Sequence, residues 1–198
     1  MPRLLLATNN AHKIRELSQI LDGIPYEIVT PAILGITFDV PETGSTYAEN
    51  AGLKARALAG LSGLLTLADD SGLEVRALGG APGIRSARYA GEGAANEKRI
   101  AKLLRTLRGV PPERRQARFV SVIAISAPGG ETWYREGTCE GVIAEAPRGA
   151  GGFGYDPVFY MPELGCTMAE LDEAAKNRVS HRGRAGAAAA ELLRQMRS

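Results

Sequence analysis

The chain has little of what most specialised sites are built from. Its 198 residues include two cysteines (Cys139 and Cys166), two histidines (His12 and His181) and a single tryptophan. Neither cysteine has a close-spaced Cys or His companion. That excludes a zinc ribbon and a disulfide framework, and makes a reducing compartment the expected setting. Charge of one sign is also missing, with a net charge of only +2, which removes the electrostatic case for a dedicated nucleic-acid or membrane-surface binder. No apolar run approaches the length of a membrane span, and Leu4 to Ala7 is too short for a signal-peptide core. A cytoplasmic protein with neither nucleic acid nor membrane as partner is therefore expected. There is no Ser-His-Asp order to support nucleophilic catalysis: Ser71 beside Asp70 has only His12 and His181 as conceivable bases, both remote in sequence. Lysine is scarce too, at five residues (Lys13, Lys54, Lys98, Lys102 and Lys176) against nineteen arginines.

What is present is an ordinary globular composition, 44% apolar and 23% charged, in a length suited to one α/β domain or two closely joined lobes. Arg3 to Ala7 reads as a buried strand, Thr8-Asn9-Asn10 as a turn, and Ala11 to Leu21 as a helix with Ile14, Leu17, Ile20 and Leu21 at helical spacing. Strand, polar turn and helix form the unit that sets backbone N–H groups beside a phosphate. A plain connection capped by Asn10 explains the same residues. Tyr26 to Thr30 is a second strand. The acidic turn Asp39 to Gly44, which contains Glu42, precedes a helix opened by Thr46 and Glu49 at capping-box spacing. By composition alone Glu42 belongs in solvent; Glu49, Asn50 and Lys54 either face one cleft, or Glu49 only caps and Lys54 pairs with Glu49 or Asn50 on a solvated face.

The stretch from Leu64 to Gly91 carries Asp69 and Asp70 where an apolar strand is expected to stop, then Ser71 and Gly72, a glycine-dense turn, and Arg85 and Arg88. Paired acids at a strand end hold hard divalent cations, but Asp, Ser and Gly equally make turns. Downstream, Asn96 to Leu107 is an amphipathic helix and Ala117 to Ala127 a strand. Pro128-Gly129-Gly130 turns the chain into a second strand near Thr132 to Tyr134, and Gly137 to Ala144 continues as β-structure. Arg114, Arg115 and Arg118 read as a solvated basic face. Glycines between Pro147 and Gly154 present Phe153 and Tyr155 for stacking, or return them to the core. A polar cluster of Lys176, Ser180, His181 and Arg182 stands just before a closing helix, Ala185 to Met196.

Three of the five lysines thus fall inside polar motifs. Together with the acids, the aromatic platform and the His-Arg pair, they fit a nucleoside triphosphate with Mg²⁺, an ion held by one or two carboxylates plus substrate phosphates.

Five blocks in order resemble the inosine triphosphate pyrophosphatase family, the XTP/dITP diphosphatases that act on non-standard purine nucleotides. They are Thr8-Asn9-Asn10-Ala11-His12-Lys13; Glu42 to Gly44 with Tyr47 to Ala55; Ala68 to Gly72 with Ser86 to Gly91; Gly152 to Pro157; and Ser180 to Gly183. The resemblance spans essentially the whole chain. It implies an α/β fold: an elongated mixed sheet flanked by helices, with two interleaved lobes of residues 1–198 around a central active-site cleft. It further implies a Mg²⁺-dependent enzyme, assembled as a homodimer, that cleaves ITP, dITP and XTP to the monophosphate and pyrophosphate.

On the same resemblance Asp70 is the catalytic proton acceptor and, with Glu42, a metal ligand, while Asp69 assists. Thr8, Asn9, Asn10, Ala11, His12, Lys13 and Lys54 contact the phosphates, and Ser71 contacts the substrate. Phe153, Gly154, Tyr155 and Asp156 form the base and sugar pocket, and Lys176, His181 and Arg182 read the purine. Ala174 and Ala175 depart from the acidic residues often found before that lysine. Two other readings use many of the same residues. A non-catalytic nucleotide sensor has no need of Asp69, Asp70 and Glu42 together, and a pyrimidine-specific pyrophosphatase of the septum-inhibitor type lacks the Ser180-His181-Arg182 block.

Overall fold

Alternation along the first strand decides how the N-terminal part of the molecule is layered. In β1 (Arg3–Leu6), Leu4 and Leu6 point into one apolar core while Leu5 and the following Ala7 point into another, as the period of two in a strand requires. The first core also takes Leu67, Ile123 and Ile125 from two neighbouring strands, Leu17 from α1 (Ala11–Ile20), and Ala185, Ala189 and Leu193 from α5 (His181–Gln195). The second core takes Ala68, Ala124 and Ala51, Ala55 and Leu58 of α2 (Tyr47–Ser62). Helices thus cover both faces of these strands, the arrangement that buries parallel β-structure.

The structure is a computed structural model and describes residues 1–196. Its remaining regular elements are β2 (Glu27–Val29), β3 (Leu65–Val75), β4 (Pro82–Gly83), α3 (Asn96–Thr106), β5 (Gln116–Ser126), β6 (Thr132–Ile143), β7 (Phe159–Met161), β8 (Cys166–Thr167) and α4 (Glu173–Val179). Eight strands form one mixed sheet in the order β2-β1-β3-β5-β6-β7-β8, with β4 paired to β3. β1 is parallel to β2 and β3, whereas the β3/β4, β6/β7 and β7/β8 pairs are antiparallel. The mixed α/β class expected from the sequence is what the chain adopts.

The chain divides into two compact units, and each is discontinuous in sequence. Unit 1 holds Met1–Asp70, Ser121–Gly137 and the residues from His181 onward, and unit 2 holds Ser71–Val120 and Thr138–Ser180. The two cores above belong to unit 1. Unit 2 has its own, built from Leu73 and Val75, Ile100, Leu103 and Leu107, Phe119, Tyr155, Val158, Phe159 and Met168.

Three local expectations change. β3 runs unbroken through Asp69 and Asp70, so the acid pair is neither a turn nor a strand terminus. Those side chains find charged partners, which removes the reason for the backbone to leave the ladder there. The Ser180-His181-Arg182 block does not precede the last helix, because α5 begins at His181 and a separate short helix, α4, carries Lys176. Arg115 is buried and not part of a solvated face. Its Nε donates to the Val110 carbonyl at 2.9 Å and its Nη2 to the Leu107 carbonyl at 3.1 Å, closing the C-terminal end of α3.

Candidate active site

Within unit 1, β1 and β3 run side by side until the Ala7 N–H donates to the Leu67 carbonyl at 2.7 Å. Past that bond the chain after β1 turns away through Thr8, Asn9 and Asn10, and β3 continues to Asp69 and Asp70. The carboxylates therefore stand at the carboxyl end of a parallel pair, where open α/β sheets characteristically present ligands. The turn is held locally. The Thr8 hydroxyl accepts from the Asn10 N–H at 3.1 Å, and the Asn10 side chain caps α1 by accepting from the His12 and Lys13 N–H groups at 2.9 and 3.3 Å. Asn9, Asn10, Ala11 and His12 are exposed and Thr8 is half-buried. Lys13 reaches inward to the Asp69 carboxylate at 2.7 Å.

Glu42 is half-buried, contrary to the exposure its turn composition suggests, because Lys54 reaches it. Lys54 Nζ lies 2.9 Å from Glu42 Oε1, 3.4 Å from Asp70 Oδ1 and 3.0 Å from the Asp69 main-chain carbonyl. The expected pairing of Lys54 with Glu49 or Asn50 is thereby replaced. Glu49 instead accepts from the Ser45 N–H at 2.6 Å, and Asn50 does something the sequence did not announce. Fully buried, Asn50 donates to Asp70 Oδ2 at 3.3 Å and accepts from the Gly44 N–H at 2.8 Å, tying the turn that carries Glu42 to the strand that carries Asp70. Carboxylate and carbonyl oxygens converging on one point suit a hard divalent cation.

The two acids have different environments. Burial pushes the Asp70 carboxyl upward and the nearby Lys54 and Lys13 cations pull it only part of the way back, so it stays above its ordinary range. Burial acts on Asp69 in the same direction. There Arg182 and Lys13 outweigh it and hold the group well below the usual carboxylate range. Lys54 goes up: burial opposes its charge, but Asp70 and Glu42 more than compensate.

Arg182 lies in the first turn of α5, only 2% exposed. Its Nη1 donates to Glu16 at 2.6 Å, and its Nε and Nη2 donate to Asp69 Oδ2 at 3.4 and 3.3 Å. The Ser121 hydroxyl of β5 donates to the other Asp69 oxygen. His181 beside it is also buried. The first turn of α5 packs directly on Gly137 of β6, where a Cβ would overlap the His181 carbonyl and the Ala185 nitrogen. A side chain at that position would displace the first turn of α5 and with it the Arg182 ion pairs. Glu16 and Ser121 escaped sequence reasoning. The one available signal was a carboxylate at position 16 directly before Leu17, on the buried side of α1.

Unit 2 holds the remaining predicted residues. Ser71 is half-buried on β3. The Asp156 carboxylate accepts from the Phe153 N–H at 2.8 Å and from Lys176 Nζ at 2.6 Å, and that ammonium lies 5.0 Å from the centroid of the Phe153 ring. Gly152 has φ of 68°, and a Cβ there would overlap the same carboxylate. Phe153 and Gly154, with Ile100 and Leu104 of α3 and Pro157, line a cavity of about 440 Å³. Of the two aromatics expected to be presented for stacking, Tyr155 is not: it is 3% exposed, and its hydroxyl donates to the Ser86 carbonyl at 2.9 Å. The glycine turn returns Tyr155 to the core and leaves Phe153 half-buried.

The structure thus gathers Lys13, Glu42, Lys54, Asp69, Asp70 and Arg182 in unit 1, and Phe153, Asp156 and Lys176 in unit 2. Among the described residues no disulfide joins the cysteines. None of the helices is long and apolar enough to cross a membrane.

The model of the Ham1 family matches residues 4–192. A protein of Geobacter sulfurreducens named dITP/XTP pyrophosphatase is 51% identical over 185 residues, covering 93% of each chain. One of the same name from Geobacillus kaustophilus is 53% identical over 185 residues, covering 93% of this chain and 91% of the relative. A solved HAM1 protein from Coxiella burnetii superposes with a TM-score of 0.90 at 41% identity, covering 98% of this chain and 100% of the other.

Proposed function

The chain belongs to the Ham1 family, and from that premise we propose that it hydrolyses non-standard purine nucleoside triphosphates (dITP, XTP and ITP) to the monophosphate and pyrophosphate, removing them from the nucleotide pool before they enter DNA or RNA. One observation carries the reading. Oxygens of Glu42, Asp70 and the Asp69 carbonyl converge on a single point with Lys54 at its centre, and Lys13 stands at the Asp69 carboxylate. This is an arrangement for a polyanion accompanied by a hard cation.

We take the cation to be Mg²⁺, held by Glu42 and Asp70; when bound it neutralises phosphate charge and polarises the bond to be broken. Asp70 orients the attacking water and accepts its proton. Lys13 and Lys54 stabilise charge developing on the departing pyrophosphate. The turn Thr8 to His12 supplies further phosphate contacts, and Ser71 touches the substrate.

Phe153 stacks on the base, with Gly154, the Tyr155 backbone and Asp156 forming its surroundings. Lys176, His181 and Arg182 read the purine. A donor satisfied by the 6-keto oxygen of hypoxanthine or xanthine is left unpaired against adenine, and that penalty is the basis of selection. We further propose a homodimer in the cytoplasm, with light scattering of the purified protein as the check on assembly.

Purified protein incubated with Mg²⁺ and each of dITP, XTP, ITP, GTP and ATP is expected to release pyrophosphate, fastest from the first three. Orthophosphate as the primary product, or equal rates on ITP and ATP, would overturn the proposal. In the same assay Asp70→Asn is expected to remove turnover with the circular dichroism spectrum unchanged. Activity retained by that variant would take Asp70 out of the catalytic role.

A further inference from the structure

Lys54 holds three oxygens that come from separate parts of unit 1: the Glu42 carboxylate of the turn before α2, the Asp70 carboxylate and the Asp69 main-chain carbonyl. Its Nζ sits 2.9, 3.4 and 3.0 Å from them. A hard divalent ion takes the same kinds of oxygen at shorter range, about 2.1 Å for Mg²⁺ and 2.3–2.6 Å for Ca²⁺. A modest contraction of these oxygens around their common centre would satisfy such an ion, but not with an ammonium already at that centre. Two cations at that separation repel strongly in a partly buried site.

We infer that Lys54 is a built-in competitor for the metal: its ammonium and a divalent cation are alternative occupants of the Glu42–Asp70–Asp69 oxygen cradle, and the phosphates of the nucleotide admit the ion by drawing the ammonium onto themselves. The second half rests on the proposed nucleotide function; the first half does not.

The cradle has supports that do not involve Lys54. Asn50 holds Asp70 by Oδ2, the oxygen Lys54 does not use, and holds the turn bearing Glu42 through the Gly44 N–H. Asp69 is fixed by Arg182, Lys13 and Ser121. Removing the ammonium therefore leaves the oxygens in place. Lys13 also donates to the Asp69 carbonyl, at 3.4 Å, but its shorter contact is the ion pair with the Asp69 carboxylate at 2.7 Å, so its hold is on Asp69 whereas Lys54 holds all three cradle oxygens. The consequence is coupling. Metal alone and nucleotide alone each bind against the Lys54 contacts, whereas together each removes the obstacle to the other, and linkage makes the gain reciprocal.

The probe is Mn²⁺ alone, titrated calorimetrically into wild-type protein and into Lys54→Met, Lys54→Gln and Lys54→Arg without nucleotide. The two neutral variants are expected to bind Mn²⁺ more tightly than wild type by about tenfold or more, within the ordinary range of coupling between sites. Lys54→Arg, which keeps the charge, is expected to stay near wild type. Two neutral variants guard against one failing to fold, which thermal unfolding reports. Equal or weaker Mn²⁺ binding by the folded neutral variants, or no binding, overturns the competition. Mn²⁺ is then titrated into the stoichiometric complex of each protein with the α,β-methylene analogue of dITP. Wild type is expected to gain Mn²⁺ affinity, and the neutral variants to gain clearly less. If the first titrations come out as expected and the analogue changes nothing in wild type, the competition stands and the nucleotide half is overturned.

Discussion

Arg182 brings a permanent positive charge into a place where water scarcely reaches, and two carboxylates, Glu16 and Asp69, answer it. Breaking a buried pair by deleting one partner costs more than the pair itself contributes, because the survivor is left charged and desolvated. Arg182→Met removes the cation that two acids share, with Asp69 keeping Lys13 and Ser121. It is expected to lower the unfolding free energy by about 3–5 kcal/mol, measured by urea denaturation at neutral pH. A loss under about 1 kcal/mol is what a solvated pair would give, and would show that the acids are not held as described. Asp69 and Asp70 are adjacent in sequence and separate at this same scale. Asp69 is locked by Arg182, Lys13 and Ser121, whereas Asp70 is held by Lys54 and Asn50, feels Lys13 at longer range and stays the less stabilised anion.

At the scale of elements, the ends of helices show how far a local motif carries. Thr46 and Glu49 have capping-box spacing, yet only half the box forms. Thr46 accepts from the Glu49 N–H at 3.1 Å, while the Glu49 carboxylate turns to the N–H and hydroxyl of Ser45. The complete box is in unit 2, on the 3₁₀ turn Met168–Glu170, where Glu170 accepts from the Thr167 N–H at 2.6 Å. That bond holds the Glu170 carboxyl below its ordinary value. A folded-state value below the unfolded one means stabilisation that is present above the unfolded value and lost as pH falls through the folded one. Glu170→Gln is therefore expected to unfold at lower temperature than wild type near pH 7, with the gap closing as the pH falls through the folded carboxyl's lowered value. A gap independent of pH would mean that shape, not charge, makes the cap.

At the scale of the whole molecule, neither unit is a continuous piece of chain. The first seventy residues contain β1, α1, β2, α2 and the start of β3, but the core they face is completed by Ile123 and Ile125 of β5 and by Ala185, Ala189 and Leu193 of α5. Without those partners Leu4, Leu6 and Leu17 lose much of the apolar contact that opposes conformational entropy. A fragment of residues 1–70 is expected to lack dispersed amide resonances and a cooperative thermal transition. If the fragment folds cooperatively, the C-terminal helix is an addition to an already sufficient core.

The first strands and helices, the β5–β6 hairpin and many of the charged residues that the structure gathers were legible in the sequence. They follow from interactions within a few residues: alternation in β1, apolar spacing in α1, Asn10 at a helix start and glycines at a turn. Pairing was not legible, because it depends on which remote segments the topology brings together. Arg182 lies 113 residues from Asp69 and 166 from Glu16, and no local pattern relates those positions. For the same reason the fate of Glu42, the bridging role of Asn50 and the inward turn of Tyr155 were decided only by the tertiary structure. A side chain's exposure is fixed by the neighbours that desolvate it, and for these residues the deciding neighbours lie in other elements. By itself the sequence determined which chemistry was available. Only the fold, by burying two arrays of charge at the end of a parallel strand pair, decided which acid is locked in ion pairs and which is the less stabilised anion.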